Sequence, residues 1–140
     1  MNRQETYAQA LRLLNIRFLS EGELRKKLCR KGADDENIRD VMELLKREHF
    51  IDDMRLARDV YRYYAAKGQY GHLYITGRLQ RRCLPVPEDV ERPDEYGAAA
   101  ALVNKRFSGN NTDKRKIARF LQYRGFSVSV IRDILMHDEE

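Results

Sequence analysis

Tryptophan is absent from this chain of 140 residues, and cysteine, histidine and proline are scarce, at two, three and three. Two cysteines, Cys29 and Cys83, cannot staple a small secreted fold, and with only His49, His72 and His137 beside them no zinc-ligand spacing exists. A reduced cytoplasmic setting is the expectation. Long apolar runs are missing too: the longest, residues 98–103, is six residues, against about 20 for a membrane-crossing helix. Met1-Asn2-Arg3-Gln4-Glu5 leads into no apolar signal core. Neither export nor membrane insertion is expected. No Ser-His-Asp, Cys-His or histidine cluster points to a nucleophile, so the chain is read as a non-enzyme with no cofactor and no bound metal.

What the chain has in abundance is charge. Asp, Glu, Lys and Arg make up 35% of it, and the excess of 27 basic over 22 acidic residues leaves a net charge of +5. That balance favours polyanions or acidic protein surfaces as partners, without choosing between them. The length allows one ordinary domain or a few small modules.

The apolar residues recur with helical period. Tyr7, Leu11, Leu14 and Phe18 form the stripe of a first helix ending near Leu19. Ser20 and Glu23 form a capping box that opens a second helix, with Leu24 and Leu28 inward and Gly32 as its stop. Asp34 or Asp35 caps a third helix, whose stripe is Ile38, Val41, Met42 and Leu45, and Asp52 caps the next. Sliding the sequence against itself by 51 places Ile75, Leu79, Arg82 and Cys83 over Leu24, Leu28, Lys31 and Gly32. A shift of 93 places Ile117, Leu121, Arg124 and Gly125 on the same columns, and Ile131, Ile134 and Leu135 on Ile38, Val41 and Met42. First helices at about 53–66 (Leu56, Val60, Tyr63, Tyr64) and 94–107 (Ala99, Leu102, Val103) complete the pattern.

The predicted fold is all-α: three tandem three-helix, helix-turn-helix-like repeats at 1–51, 52–93 and 94–140, forming an elongated curved molecule. The second is irregular. Pro85, Pro87 and Pro93 bracket Glu88-Asp89-Val90-Glu91-Arg92 and leave room for at most a shortened third helix. Ser108-Gly109-Asn110-Asn111-Thr112 reads as a loop ahead of Asp113, the cap of the last basic helix.

Several of these stretches, taken together and in order, resemble the RecX regulatory family. They are Ser20-Glu21-Gly22-Glu23-Leu24-Arg25-Lys26-Lys27-Leu28, Ile51-Asp52-Asp53-Met54-Arg55-Leu56-Ala57 and Lys67-Gly68-Gln69-Tyr70-Gly71. The closing Lys116-Ile117-Ala118-Arg119-Phe120-Leu121-Gln122-Tyr123-Arg124-Gly125-Phe126 is similar to that family's third repeat, so the resemblance spans residues 7–135. It implies a bacterial cytoplasmic protein that binds the RecA recombinase filament on DNA and modulates, usually inhibits, recombination and the SOS response. A weak direct contact with DNA and a monomeric state go with that reading.

Azimuth sorts the basic residues of the second helices. At about 100° per residue from Leu24, Ile75 and Ile117, the column Lys31, Arg82, Arg124 falls over the buried stripe, where stems pack and charges meet the helix C-terminus. Lys26 and Arg119, at about 200°, and Arg30, Arg81 and Tyr123, at about 240°, face away from the core. This repeated set is the candidate partner face; its alternative is a merely solvated surface. Tyr61-Arg62-Tyr63-Tyr64 followed by Lys67, Tyr70 and His72 interleaves aromatics with bases, as single-strand binders do. Core packing claims Tyr63 or Tyr64, leaving Tyr61 and Tyr70 freer. Lys67 and Tyr70 sit in a glycine-punctuated turn without the spacing of a phosphate-binding loop, and the resemblance makes that turn a contact. Asp52 and Asp53 read as cap and dipole partners; as metal ligands they would make the chain a nuclease, the weakest of three readings behind a filament regulator and a direct nucleic-acid binder.

Overall fold

The computed structural model describes residues 1–107 and 113–137; the loop read at 108–112 and the acidic terminus at 138–140 lie outside the described residues. Those residues form eight α-helices: α1 (Arg3–Ile16), α2 (Glu21–Arg30), α3 (Asp35–Arg47), α4 (Asp53–Ala66), α5 (His72–Arg81), α6 (Glu95–Arg106), α7 (Lys114–Tyr123) and α8 (Val128–His137). There are two compact units, residues 1–58 with 79–87 and residues 59–78 with 88–140, so α4 and α5 each contribute residues to both.

In the first unit α1, α2 and α3 pack pairwise around Leu24, Leu28, Ile38, Val41, Met42 and Leu45, all at most 1% exposed. The local signals are those the sequence carries. Ser20 and Glu23 exchange both hydrogen bonds of the capping box, and Asp34 accepts the N–H of Asn37. Helix α1 stops earlier than its stripe suggests. Arg17 is already extended, Leu19 is buried and Phe18 is 76% exposed. The extended backbone that an N-cap such as Ser20 requires converts the approach from helical period to alternation, so Leu19 turns inward and Phe18 out.

In the second unit α8 packs on α6 and α7 around Ala99, Val103, Ile117, Leu121, Phe126 and Ile134. The stretch 84–94 contains no helix, so the shortened third helix allowed after Pro87 is absent. Prolines at 85, 87 and 93 remove three donors, and the five residues between the last two are too few to offset helix nucleation.

The repeat columns hold at atomic level. At each second-helix end one N–H reaches back five residues, from Ala33 to Leu28, Leu84 to Leu79 and Phe126 to Leu121, at 3.1, 2.9 and 3.1 Å. The residue between is left-handed each time: Gly32 at φ +96°, Cys83 at +59° and Gly125 at +82°. A second joint also recurs. In the first unit the buried Ser20 hydroxyl donates to the Arg82 carbonyl; in the second the Gly71 N–H donates to the Arg124 carbonyl at 2.8 Å. Positions 20 and 71 share one column, as do 82 and 124.

Gly71 is glycine for a steric reason, since a Cβ there would meet the backbone of Gly125 and Phe126. Gly71→Ala is expected to cost about 2–3 kcal/mol, lowering Tm by roughly 5–10 °C. Gly77, inside α5 with nothing within 4 Å of its would-be Cβ, gives the opposite: Gly77→Ala should gain about 0.5–1 kcal/mol. Thermal melting of the two variants beside the parent checks both.

Candidate functional site

Two sets of side chains stand out, one per unit: exposed basic residues in the first and a cluster of aromatic rings and cations in the second. The first lies on α2 and the end of α5, where Lys26, Arg30 and Arg81 are all exposed. Leu24, Leu28 and Leu79 are fully buried, which fixes the azimuth of those helices and turns the basic positions outward. Lys26 Nζ reaches Cys83 Sγ at 3.6 Å. Arg82 behaves differently from these. It is half-buried and bonds Glu23 through Nε and Nη2 at 3.2 and 3.1 Å and the Phe18 carbonyl at 2.9 Å. Burial pushes the Glu23 carboxyl up, but the Arg82 hydrogen bond, the Ser20 N–H and the charges of Arg82 and Arg17 outweigh it and hold the carboxyl below its usual 4.5.

The second cluster is a run of aromatic rings and cations in the second unit. Lys67 Nζ lies 4.6 Å from the Tyr63 ring centroid, and Tyr63 meets Tyr64 edge-on at 5.1 Å. Tyr70 and Tyr74 stack at 4.0 Å, nearly parallel, both edge-on to Tyr64, with Arg78 over Tyr64 and Tyr74. Arg124 spans the Tyr70 and Phe120 rings at 5.5 and 5.1 Å, and Arg106 covers Phe120 at 5.1 Å. Beside Phe120, Arg119 and the 84% exposed Tyr123 line a shallow groove of about 380 Å³ with Arg106, Phe107 and Lys116. Cation–π contacts hold the guanidinium groups within 5.6 Å of the ring centroids, an arrangement suited to phosphate or carboxylate partners and to stacking bases.

Of the predicted residues, Lys67, Tyr70, Arg119 and Tyr123 belong to this second cluster, and Lys26, Arg30 and Arg81 to the first. Tyr61 is corrected. It is fully buried, bonding His72 Nδ1 through its hydroxyl at 2.7 Å, while Tyr63 is 58% exposed. The inward face of α4 is centred on Ala57 and Tyr61, and a small residue such as Ala57 is invisible in a stripe of large side chains. Tyr74, Arg78, Phe120 and Arg106 join the cluster without standing out in the sequence. The i, i+4 spacings Tyr70–Tyr74, Tyr74–Arg78 and Phe120–Arg124 are a signal that sequence carries; contacts between elements are not. Asp52 accepts the N–H of Arg55 and Asp53 that of Glu21, so both acids cap helices. Among the described residues no group of acids, histidines and cysteines could hold a metal ion, and no helix is long and apolar enough to cross a membrane.

Burial first, and then the Arg92 charge against a smaller pull from Glu95, holds the His72 imidazole below its usual 6.5. The unfolded chain therefore binds more protons than the folded one as pH drops from about 6.5. Stability of the second unit should fall from there downward, before the carboxylates of Glu21 and Glu23, both held below 4.5, begin to protonate. Melting curves between pH 7 and 5 are expected to show this loss, and His72→Gln to flatten it.

Comparison with known proteins agrees with the all-helical fold and its three-helix packing. A model of the RecX first three-helix domain matches residues 7–45, and one of the RecX third three-helix domain matches residues 94–135. The regulatory protein RecX of Vibrio vulnificus is 33% identical over 132 residues, covering 88% of this chain and 86% of the relative. That of Acidithiobacillus ferrooxidans is 35% identical over 138 residues, covering 95% and 90%. The crystal structure of RecX from Lactobacillus salivarius superposes with a TM-score of 0.80 at 19% identity, covering 98% of this chain and 96% of the other, which is a likeness of fold.

Proposed function

We propose, from the premise that this chain belongs to the RecX family of regulatory proteins, that it binds the RecA–DNA nucleoprotein filament and restrains it. Its action lowers RecA ATP hydrolysis and strand exchange, and with them recombination and the SOS response. The observation that carries this reading is the register of the second helices, which sets outward basic residues at matching azimuths in the first and third repeats for one column and in the first and second for another. Lys26 and Arg119 share one column, Arg30, Arg81 and Tyr123 another. Outward basic residues that return on equivalent helices suit a periodic polymer. Lys67 and Tyr70 add the aromatic–cation cluster to the contact. The protein acts as a cytoplasmic monomer through binding energy, with no chemical step of its own.

That aromatic–cation cluster supports a second reading, direct and sequence-tolerant binding of nucleic acid, in which bases stack on the tyrosines and phosphates meet Arg78, Arg106 and Arg124. Titrating the protein into DNA-dependent ATP hydrolysis by the cognate RecA on single-stranded DNA separates the two, with binding to naked DNA measured in parallel. Loss of hydrolysis well below the concentration that coats naked DNA is the expected result. Unchanged hydrolysis, or loss only at saturation of the DNA with a steep log-linear salt dependence, would replace the filament reading by the second.

A further inference from the structure

Cys83 occupies a position that a side chain should avoid. It is left-handed at φ +59°, in the column where the other two second helices end on Gly32 and Gly125. Its side chain also takes up the space beside α2: a Cβ on Gly22 would lie 2.7 Å from Cys83 Cβ and 3.0 Å from Sγ. The thiol is thus accommodated only because α2 carries glycine in its first turn, where helix propensity disfavours it. The thiol is exposed, and Lys26 Nζ stands 3.6 Å from the sulfur. Cys29, also exposed, makes no hydrogen bond with an amine among the described residues.

The geometry points to Lys26 and Cys83 as a redox modification site, where a peroxide joins the two side chains through a sulfur–nitrogen bond and ties α2 to the end of α5 within the first unit. As thiolate, the nucleophilic form of any cysteine, Cys83 attacks one peroxide oxygen and the O–O bond breaks. The Lys26 ammonium gives its proton to the departing hydroxide, which leaves as water. Cys83 is then a sulfenic acid facing a neutral amine. The amine attacks the sulfur, the S–OH bond breaks, and the hydroxide leaves with a proton from nitrogen as a second water. One thiolate, one ammonium and one hydrogen peroxide give one sulfenamide and two waters; sulfur loses two electrons and the peroxide gains them. Backbone nitrogen closes such rings onto sulfenic acids, and a lysine amine within contact distance can do the same. The chemistry stands whether or not the chain acts on a filament.

The test treats the full chain with hydrogen peroxide and reads intact mass and peptide maps. A loss of about 2 Da, with a linked peptide pair containing Lys26 and Cys83 that thiol reductant separates, is the expected product. Because a Cys29–Cys83 disulfide has the same mass, the Cys29→Ser variant must still form the link. Lys26→Arg must lose it and carry Cys83 on to the sulfinic and sulfonic acids. The linked protein should melt higher by about 5 °C or more, since the bond closes a long loop. Cys83→Gly, which suits the left-handed backbone, should fold and melt no lower than the parent in its reduced form. Added oxygen at Cys83 without the linked pair, a disulfide as the product, or an unmodified Cys83 where Cys29 is oxidised would each overturn the assignment.

Discussion

Leu28→Asp should abolish the cooperative melting of the first unit. Leu28 is fully buried on α2, facing Leu24, Ile38, Val41, Met42 and Leu45 across α2 and α3. Removing its side chain forfeits about 2–3 kcal/mol of apolar burial, and a carboxylate in its place has no basic partner in that cluster. The combined cost, at least about 4 kcal/mol, is a large part of the 5–15 kcal/mol that stabilises an ordinary domain. Far-UV dichroism and calorimetry should show lost helicity and a missing transition. Leu121→Asp should do the same in the second unit, where Leu121 is equally buried. Ile16→Asp, at a position 79% exposed, is the comparison and should move stability by no more than about 0.5 kcal/mol. Normal melting of both core variants would defeat the repeat register itself.

That register is the part of the fold most legible in the sequence, because it rests on short-range rules. Capping boxes, left-handed glycines and the spacing of large apolar residues act within one or two turns of backbone, so Ser20, Asp34, Gly32 and Gly125 take the roles their types announce. The same logic exposes where reading by type runs out. Cys83 takes the left-handed role of a glycine, and nothing in its own chemistry marks it for that; only its alignment with Gly32 and Gly125 does. Phe18 and Tyr61 depart from expectation in opposite senses for one reason. The size of a side chain along an assumed helix does not fix its burial, which depends on how the neighbouring segment enters. Leu19 displaces Phe18 when the chain straightens ahead of Ser20, and the small Ala57 rotates α4 so that Tyr61 points inward.

The candidate site is legible in its basic residues and illegible in its organisation. Outward placement of Lys26, Arg30, Arg81 and Arg119 follows from helix azimuth once the buried columns are known. The stacking of Tyr70 on Tyr74, and Arg124 lying across Tyr70 and Phe120, require α5 and α7 to be brought together by the Gly71–Arg124 joint. Arg124 shows how a structural role and a surface role combine. Its carbonyl anchors the joint while its guanidinium forms part of the aromatic–cation cluster.

Reversing Lys26, Arg30, Arg81 and Arg119 to Glu together should weaken inhibition of RecA ATP hydrolysis by roughly 30- to 1000-fold. Each substitution changes charge by two units, taking the net charge from +5 to −3. Replacing an attractive exposed pair by nothing costs about 0.5–1 kcal/mol, so the loss of four pairs alone gives about 2–4 kcal/mol before repulsion is added. All four side chains are exposed and none takes part in a salt bridge among the described residues. The variant should therefore keep its helicity and melt within a few degrees of the parent. Arg119 belongs to a different unit from the other three, so the triple variant and Arg119→Glu alone should add when combined, the signature of independent contacts. A folded quadruple variant that inhibits as well as the parent removes these four residues from the interface. If inhibition and binding to naked DNA instead fall by the same factor, with the salt slope reduced by about one for each phosphate no longer neutralised, the phosphate backbone is the partner these residues meet.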